Sequence, residues 1–227
     1  MEAIVLAGGS GTRLRSVVRD VPKPMAPVNG KPFLEYIMRY LQKNEINRVV
    51  LSVGYKRETI QEYFGNFFEN LEIVYSVENE PLGTGGAIKK AMQFIKSEQA
   101  YIIHGDTFFN VNLKSLTLDN GSKLILSLKQ MTDFDRYGCV EFDSKGYVIT
   151  FVEKGYKKIG NVNGGVYLAS KTIFELFDTA DKFSFEDFIC NNIQELKLTS
   201  KVFDEYFIDI GIPHDFKKAQ IEMRNQL

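Results

Sequence analysis

Glu2-Ala3-Ile4-Val5-Leu6-Ala7-Gly8-Gly9-Ser10-Gly11-Thr12-Arg13-Leu14 is the stretch whose reading decides the fold. Glu2 to Leu6 is a short apolar run with strand character, and it passes directly into a loop containing three glycines. A strand that runs into such a loop leaves backbone N–H groups turned toward an anion, and glycine both accepts positive φ and lets a phosphate approach the main chain. Arg13 closes the loop with a planar cationic fork suited to phosphate oxygens. Two familiar phosphate loops do not fit. The string G-x-x-x-x-G-K-[ST] is absent, and a G-x-G-x-x-G fingerprint begun at Gly9 and Gly11 meets Leu14 where Gly or Ala is required. No acidic residue ends a following strand at the right distance, which argues against a nicotinamide enzyme. Gly8, Gly9 and Gly11 by themselves would suit an ordinary strand-to-helix turn.

Further along, strand and helix patterns alternate. Phe33, Leu34, Ile37, Met38 and Leu41 mark one helical face, Arg48 to Val53 reads as a buried strand, and Glu58 to Phe64 reads as a helix. Ile73 to Val77 is a third strand, Gly85 to Ile95 a helix, and Tyr101 to His104 an apolar run ended by Gly105-Asp106. This order predicts an α/β protein with a Rossmann-like, mostly parallel mixed sheet and helices on both faces. Ligands of such sheets bind beyond the carboxyl ends of the strands, where the loop after Leu6, the loop after Val77 and Asp106 all fall. In the second half, Leu124 to Lys129 and Val166 to Leu168 read as strands. Gly138 to Asp143 and Tyr147 to Glu153 flank Ser144-Lys145-Gly146 as a hairpin, and Phe185 to Ile193 and Pro213 to Arg224 read as helices. One domain over 1–227 is expected, with a nucleotide-binding half over about 1–110 and a sugar-binding half over about 111–227.

Composition narrows the class. Apolar residues make up 44% of the 227, with 18 Phe and 11 Tyr, which is ample for a large core. A net charge of −1, from 28 basic and 29 acidic residues, provides no global field for nucleic acid or an anionic membrane. Cys139 and Cys190 lack C-x-x-C spacing, which points to buried thiols in a reducing compartment. No leader pattern opens the sequence and no apolar run has membrane-spanning length, so a cytoplasmic protein is expected.

Val21-Pro22-Lys23-Pro24-Met25 sets a lysine between two prolines, which should hold it on a stiff extended segment. Leu-Ala-Gly-Gly-x-Gly-Thr-Arg-Leu, then Pro-Lys-Pro, then Gly30-Lys31-Pro32, resembles the sugar-1-phosphate nucleotidyltransferase family over nearly the whole chain. The resemblance implies the nucleotide-diphospho-sugar transferase type of fold and transfer of a nucleoside monophosphate to a sugar 1-phosphate with release of pyrophosphate. Ser16 to Asp20 and Ser52 to Lys56 look most like the subgroup that carries GMP from GTP to a heptose 1-phosphate, in surface polysaccharide synthesis. Mannose 1-phosphate with GTP, another sugar with UTP, or a catalytically silent nucleotide-sugar sensor are the alternatives. A homodimer is compatible with all of them.

Such chemistry needs charge neutralisation, alignment and a metal rather than a protein nucleophile, because the attacking phosphate oxygen is already ionised. The resemblance assigns Leu6, Ala7, Gly8, Gly9, Gly11 and Thr12 to the nucleotide, Arg13 to the departing pyrophosphate and Lys23 to the α-phosphate. It assigns Asp106 and Asp209, each framed by apolar residues, to Mg²⁺, which favours one or two carboxylates with phosphate oxygens and water. Asp209 alone would also suit a turn. Base reading is expected from Glu78, whose carboxylate can accept from guanine N1–H and N2–H₂, backed by Gly83 and Thr84. Gly138, Glu153, Lys154 and Asn163 match the family's sugar-binding positions. Ile212 stands where relatives often have Thr, and His104 where many have Asn. His104 is read as a core histidine, His214 as surface, Glu80 as solvated, and Ser184 as a helix N-cap.

Overall fold

The computed structural model describes residues 1–9, 11, 14, 18, 21–119 and 121–226. In chain order the elements are β1 (Glu2–Leu6), β2 (Pro27–Val28), β3 (Lys31–Pro32), α1 (Phe33–Lys43), β4 (Arg48–Val53), α2 (Arg57–Phe64), β5 (Phe67–Phe68), β6 (Leu71–Val77), α3 (Gly83–Met92), β7 (Gln99–His104) and β8 (Thr107–Phe109). The second half adds β9 (Leu124–Phe134), β10 (Cys139–Phe142), β11 (Val148–Val152), β12 (Lys157–Ser170), α4 (Phe185–Asn191), β13 (Thr199–Phe203), β14 (Phe207–Asp209) and α5 (Pro213–Glu222). The main sheet runs β11-β10-β12-β7-β1-β4-β6-β5, with β9 on β12 and β13 on β9. Its centre, β7-β1-β4-β6, is parallel, as the alternating pattern predicts. Antiparallel β12 then joins β7 through Val166↔Ile103 to Ser170↔Gln99.

The central strands are apolar on both faces because both are covered. Ala3 and Val5 of β1 point into one core with residues of α1, α2 and α5, while Ile4 between them points into the other with residues of α3 and α4. Among the described residues no helix is long and apolar enough to cross a membrane.

Three details differ from the sequence reading. β9 and β12 are far longer than their apolar kernels, because they form one antiparallel arm from Ala169↔Leu124 to Lys157↔Phe134. The glycines and asparagines of 160–165 hide this strand in the sequence; the register shift between Asn163 and Tyr167 absorbs them. Lys23 does not lie on an extended segment. It opens a short 3₁₀ turn, Lys23–Met25, closed by Met25 N–H to the Pro22 carbonyl at 2.8 Å. The fixed φ of Pro24 suits that turn, and its missing N–H falls where no intraturn donor is needed. Cys139 is buried as expected, but Cys190 is exposed. On α4 the inward face is taken by Phe185, Phe188 and Ile189, which turns the next residue outward.

At the amino ends of the strands, opposite the glycine loop, Glu2 ties the sheet to the segment before β7. One of its oxygens pairs with Arg48. The other accepts from the Lys96 N–H at 2.8 Å, the Ser97 N–H at 2.6 Å and the Ser97 hydroxyl at 2.7 Å. Burial by itself would raise this carboxyl, but the Ser97, Arg48 and Lys96 donors outweigh it and hold the group at about 2, against 4.5 in its ordinary state. A lowered native value means stability that is complete above the unfolded value and is lost as pH falls through the native one. Glu2→Gln should therefore cost about 3 kcal/mol near neutral pH. In urea titrations the gap between variant and parent should close as pH falls from 5 toward 2. A gap independent of pH over that range would show that the carboxylate charge is not what stabilises this end of the sheet.

Candidate active site

The site begins where β1 and β7 end side by side, in the register Leu6↔His104. The Gly105 N–H donates to the Leu6 carbonyl at 2.9 Å, and a Cβ on Gly105 would overlap that carbonyl, so the turn after β7 hugs the end of β1 only as glycine. Asp106 follows in this turn, and β8 leaves from it. β8 pairs antiparallel with β14 through Thr107↔Asp209, and the Ile210 N–H donates to the Asp106 carbonyl at 3.0 Å. This two-stranded ribbon sets Asp209 beside Asp106, although they lie in opposite halves of the chain.

Lys23 joins them. Its Nζ pairs with Asp106 Oδ2 and lies 3.7 Å from Asp209 Oδ1. The lysine side chain is only 9% exposed, whereas the two carboxylates are 34% and 28% exposed. The cation is thus almost enclosed in the floor, while both carboxylate side chains keep partial exposure. Desolvation raises Asp106, but the Lys23 ammonium overcomes it and holds the group below the usual carboxylate range. Asp209 is pushed up, by desolvation and then by the Asp106 charge, despite Lys23 and a bond from the Gly211 N–H at 2.6 Å. Among the described residues, two adjacent carboxylates share one lysine and present hard oxygen donors, which suits a divalent cation. Among the described residues no cluster of three or more His, Cys, Asp or Glu offers an alternative metal site.

Asp209 also serves the turn into α5, through the Gly211 N–H. Ile212, the N-cap of α5, makes no side-chain cap bond, and Pro213 opens the helix instead. His214 is exposed and lies 3.0 Å from Asp215, as a surface residue would. His104 packs against Tyr167, with centroids 5.7 Å apart, and lines the cleft floor, so it is not fully enclosed in the core.

Two connected hollows make the cleft. A smaller one, about 250 Å³, is lined by Leu6, Gly9, Gly11, Lys23, Thr84 and Asp106 among others. A larger one, about 740 Å³, extends past Gly8, Gly9, Gly54, Glu78, Gly83 and Thr84. Leu6, Gly9 and Thr84 border both. Glu78 accepts from the Ser52 hydroxyl at 3.0 Å and the Leu82 N–H at 3.2 Å, which fixes its carboxylate at the wall. A Cβ on Gly8 would come within 2.5 Å of Glu78 Oε1, so the wall is built around a missing side chain. Glu80 is exposed at the rim. Ala7 is fully buried beneath the loop. Thr84 accepts from the Phe185 N–H at 2.8 Å and donates to Glu186 at 3.0 Å, joining α3 to α4. Ser184 caps α4 through the Asp187 N–H at 3.2 Å. Thr12 and Arg13 lie outside the described residues.

Gly138 and Glu153-Lys154 meet at one end of the β10–β11 hairpin, where Cys139 pairs with Val152 and a Cβ on Gly138 would come 2.7 Å from the Val152 carbonyl. Glu153 and Lys154 are exposed. Asn163 donates to the Tyr167 hydroxyl at 2.8 Å and accepts from the Gly165 N–H at 3.1 Å. Sequence reasoning missed Arg136, which donates to Asp215 at 2.6 Å, and Tyr137, raised to about 12 by burial and then by Asp209. Nothing in the spacing of 136 and 215 indicates that pairing.

The nucleotidyl transferase family model matches residues 2–226. The chain belongs to that family. It is 55% identical over 216 residues to the D-glycero-α-D-manno-heptose 1-phosphate guanylyltransferase of Campylobacter jejuni subsp. jejuni, covering 95% of this chain and 97% of that one. The protein of the same name from Aneurinibacillus thermoaerophilus is 52% identical over 232 residues, covering both chains entirely. The crystal structure of HddC from Yersinia pseudotuberculosis complexed with GMP-PN superposes with a TM-score of 0.84 at 39% identity, over 98% of this chain and 99% of that one. Family membership fits a cleft whose floor is a glycine loop, a buried lysine and two carboxylates.

The opposite pKa displacements of the two carboxylates generate a prediction. Asp106→Asn and Asp209→Asn should each reduce turnover by about a hundredfold or more if both carboxylates serve charge neutralisation. Their thermal midpoints should move in opposite directions. Burial and the Asp106 charge disfavour the ionised form of Asp209, so its neutral analogue should be more stable than the parent, whereas Asp106→Asn should be less stable. Differential scanning calorimetry beside a turnover assay checks both, and a fully active Asp209→Asn would remove that residue from the site.

Proposed function

We propose that the protein transfers GMP from GTP to a sugar 1-phosphate, D-glycero-α-D-manno-heptose 1-phosphate, giving GDP-heptose and pyrophosphate. The observation that carries this reading is the meeting of Asp106 and Asp209 around Lys23 at the end of a nucleotide-sized cleft. Full-length relatives at 55% and 52% identity named for this activity support the substrates. In this reading the sugar's phosphate oxygen attacks the α-phosphorus, the new O–P bond forms, and the bond to the departing pyrophosphate breaks.

Gly8, Gly9 and Gly11 offer main-chain donors to the triphosphate, and Arg13 and Thr12 would complete that loop. Lys23, fixed by its two carboxylates, offsets charge as it builds at the α-phosphorus. Asp106 and Asp209 would hold Mg²⁺, which when bound neutralises phosphate oxygens and keeps the reacting groups in line. Gly138, Glu153, Lys154 and Asn163 form the sugar side, with Lys154 answering the sugar's phosphate and Glu153 and Asn163 its hydroxyls. We read residues 1–227 as one domain whose nucleotide and sugar halves share a sheet, because β7 and β12, one from each half, are hydrogen-bonded neighbours. The cytoplasm, where GTP is available and an exposed thiol such as Cys190 stays reduced, is the compartment this chemistry favours.

Glu78 is the residue we assign to the base, facing guanine N1–H and N2–H₂. ATP would turn an unprotonated N1 toward that carboxylate, an error that costs about 1–3 kcal/mol, or roughly ten- to a hundredfold. A pyrophosphate-release screen of each nucleoside triphosphate against hexose and heptose 1-phosphates tests the activity, and a preference for UTP over GTP would overturn the guanylyl assignment. ITP, which lacks only the 2-amine, tests the residue. The parent should use GTP better than ITP, and Glu78→Gln should narrow that ratio; an unchanged ratio shifts base reading to the backbone of Gly83 and Thr84.

A further inference from the structure

The first turn of α2 also lines the larger hollow, and it carries a cation with no part in the chemistry described above. Arg57 is the first residue of that helix and lines the same hollow as Glu78, Gly8 and Gly54. It is held from two sides. Its Nη1 donates to Asn79 Oδ1 at 3.2 Å, and its Nε lies 3.2 Å from Glu58 Oε1. Asn79 is the neighbour of Glu78 at the end of β6, so the guanidinium is anchored one residue from the carboxylate assigned to the base. Arg57 and Glu78 do not pair with each other: Glu78 is engaged by Ser52 and Leu82, and Arg57 by Asn79 and Glu58. Gly8 and Gly54 keep side chains out of the floor beneath the Glu78 carboxylate. The hollow therefore presents a held acceptor and a held donor fork that do not neutralise each other.

That pairing matches one base edge. On guanine the N2 amine and N1–H are donors and the adjacent O6 is an acceptor, with N7 a second acceptor next to it. A carboxylate satisfies the first two and an arginine fork the last two, as arginine does when it reads guanine elsewhere. Adenine reverses the polarity at position 6, where its amine would face the guanidinium, and uracil does not reach across both groups. We propose that Arg57 is a specificity-determining residue that donates to O6 and N7 of the guanine, with Asn79 positioning it. This inference rests on the guanylyl reading and deepens it, since Glu78 alone senses only one end of the edge.

Three triphosphates separate the contributions. GTP and ITP share O6 and N7 and differ only in the 2-amine. The triphosphate of 2,6-diaminopurine riboside keeps the 2-amine and N7 but carries an amine in place of O6 and an unprotonated N1, so its discrimination involves Glu78 too and only the change in that ratio between parent and Arg57→Ala reports Arg57. Arg57→Ala should lower kcat/KM for GTP and ITP by the same factor, about ten- to a hundredfold. It should leave the GTP-to-ITP ratio near that of the parent and should narrow the preference for GTP over the diaminopurine triphosphate. Ratios measured within one protein do not depend on the fraction folded, so a partly destabilised variant still reports. Asn79→Ala should shift the same ratio in the same direction by a smaller factor. Equal losses for all three triphosphates would overturn the proposal and make Arg57 a stacking or phosphate-attracting group; no loss for any would overturn it too. A parent enzyme that does not prefer GTP at all would fail at the earlier step, taking the guanylyl reading and this inference down together.

Discussion

Two carboxylates held side by side at the end of a sheet repel each other, and the placement of Lys23 resolves that repulsion. The ammonium is almost completely enclosed, pairs with Asp106 and stands 3.7 Å from Asp209. A charge so far from water survives only when compensated. The 3₁₀ turn that holds Lys23, the Gly105 turn that holds Asp106 and the β8–β14 ribbon that holds Asp209 thus depend on one another electrostatically. Among the described residues the arrangement is also incomplete in charge: one cation serves two carboxylates, and burial with the Asp106 charge disfavours the ionised form of Asp209. A site that tolerates such a deficit is poised for a further cation, which is the reading proposed here.

The two ends of the sheet divide the tasks of stability and function. At the amino ends, Glu2 gathers Arg48, Lys96 and Ser97 into a satisfied, buried knot, and its carboxyl is driven low. At the carboxyl ends the backbone is pared down. Gly8, Gly54 and Gly105 leave room where a Cβ would meet the Glu78 carboxylate, the Gly8 carbonyl or the Leu6 carbonyl. Glycine costs conformational entropy on folding, so these positions weaken the scaffold where the cleft must be open. The apolar cores on both faces of the sheet lie between the two ends.

The cleft also depends on the packing of α3 against the segment before α4. Gly83 has φ +71°, and a Cβ on Gly85 or Gly86 would overlap Phe183 or Asp181. Thr84 then bonds to both Glu186 and the Phe185 N–H. The Gly-Thr-Gly-Gly run therefore does two things: it borders the hollow expected to receive the nucleotide, and it lets the second half of the chain close onto the first.

By itself the sequence determined the parallel core and its direction. Four apolar runs separated by amphipathic segments admit one economical arrangement, a buried parallel sheet with the loop after β1 at its ligand-binding end, because each strand hides both faces and each crossover needs a helix. It also singled out Lys23, Asp106 and Asp209, since a cation between prolines and carboxylates in apolar runs are costly unless compensated, while Glu78 was reached only through the resemblance to the family. Tertiary structure alone decided how these groups meet. Thr107↔Asp209 is a pairing between distant three-residue strands too short to announce a register, and Lys23 reaches both carboxylates only because its turn folds under the β1 loop. The long β9–β12 arm was hidden by glycines and asparagines that a bulge accommodates. Arg57 lining the same hollow as Glu78, and Arg136 on Asp215, were equally unreadable: a local pattern records what a residue does within its own helix or strand, whereas these placements arise from where the elements are packed.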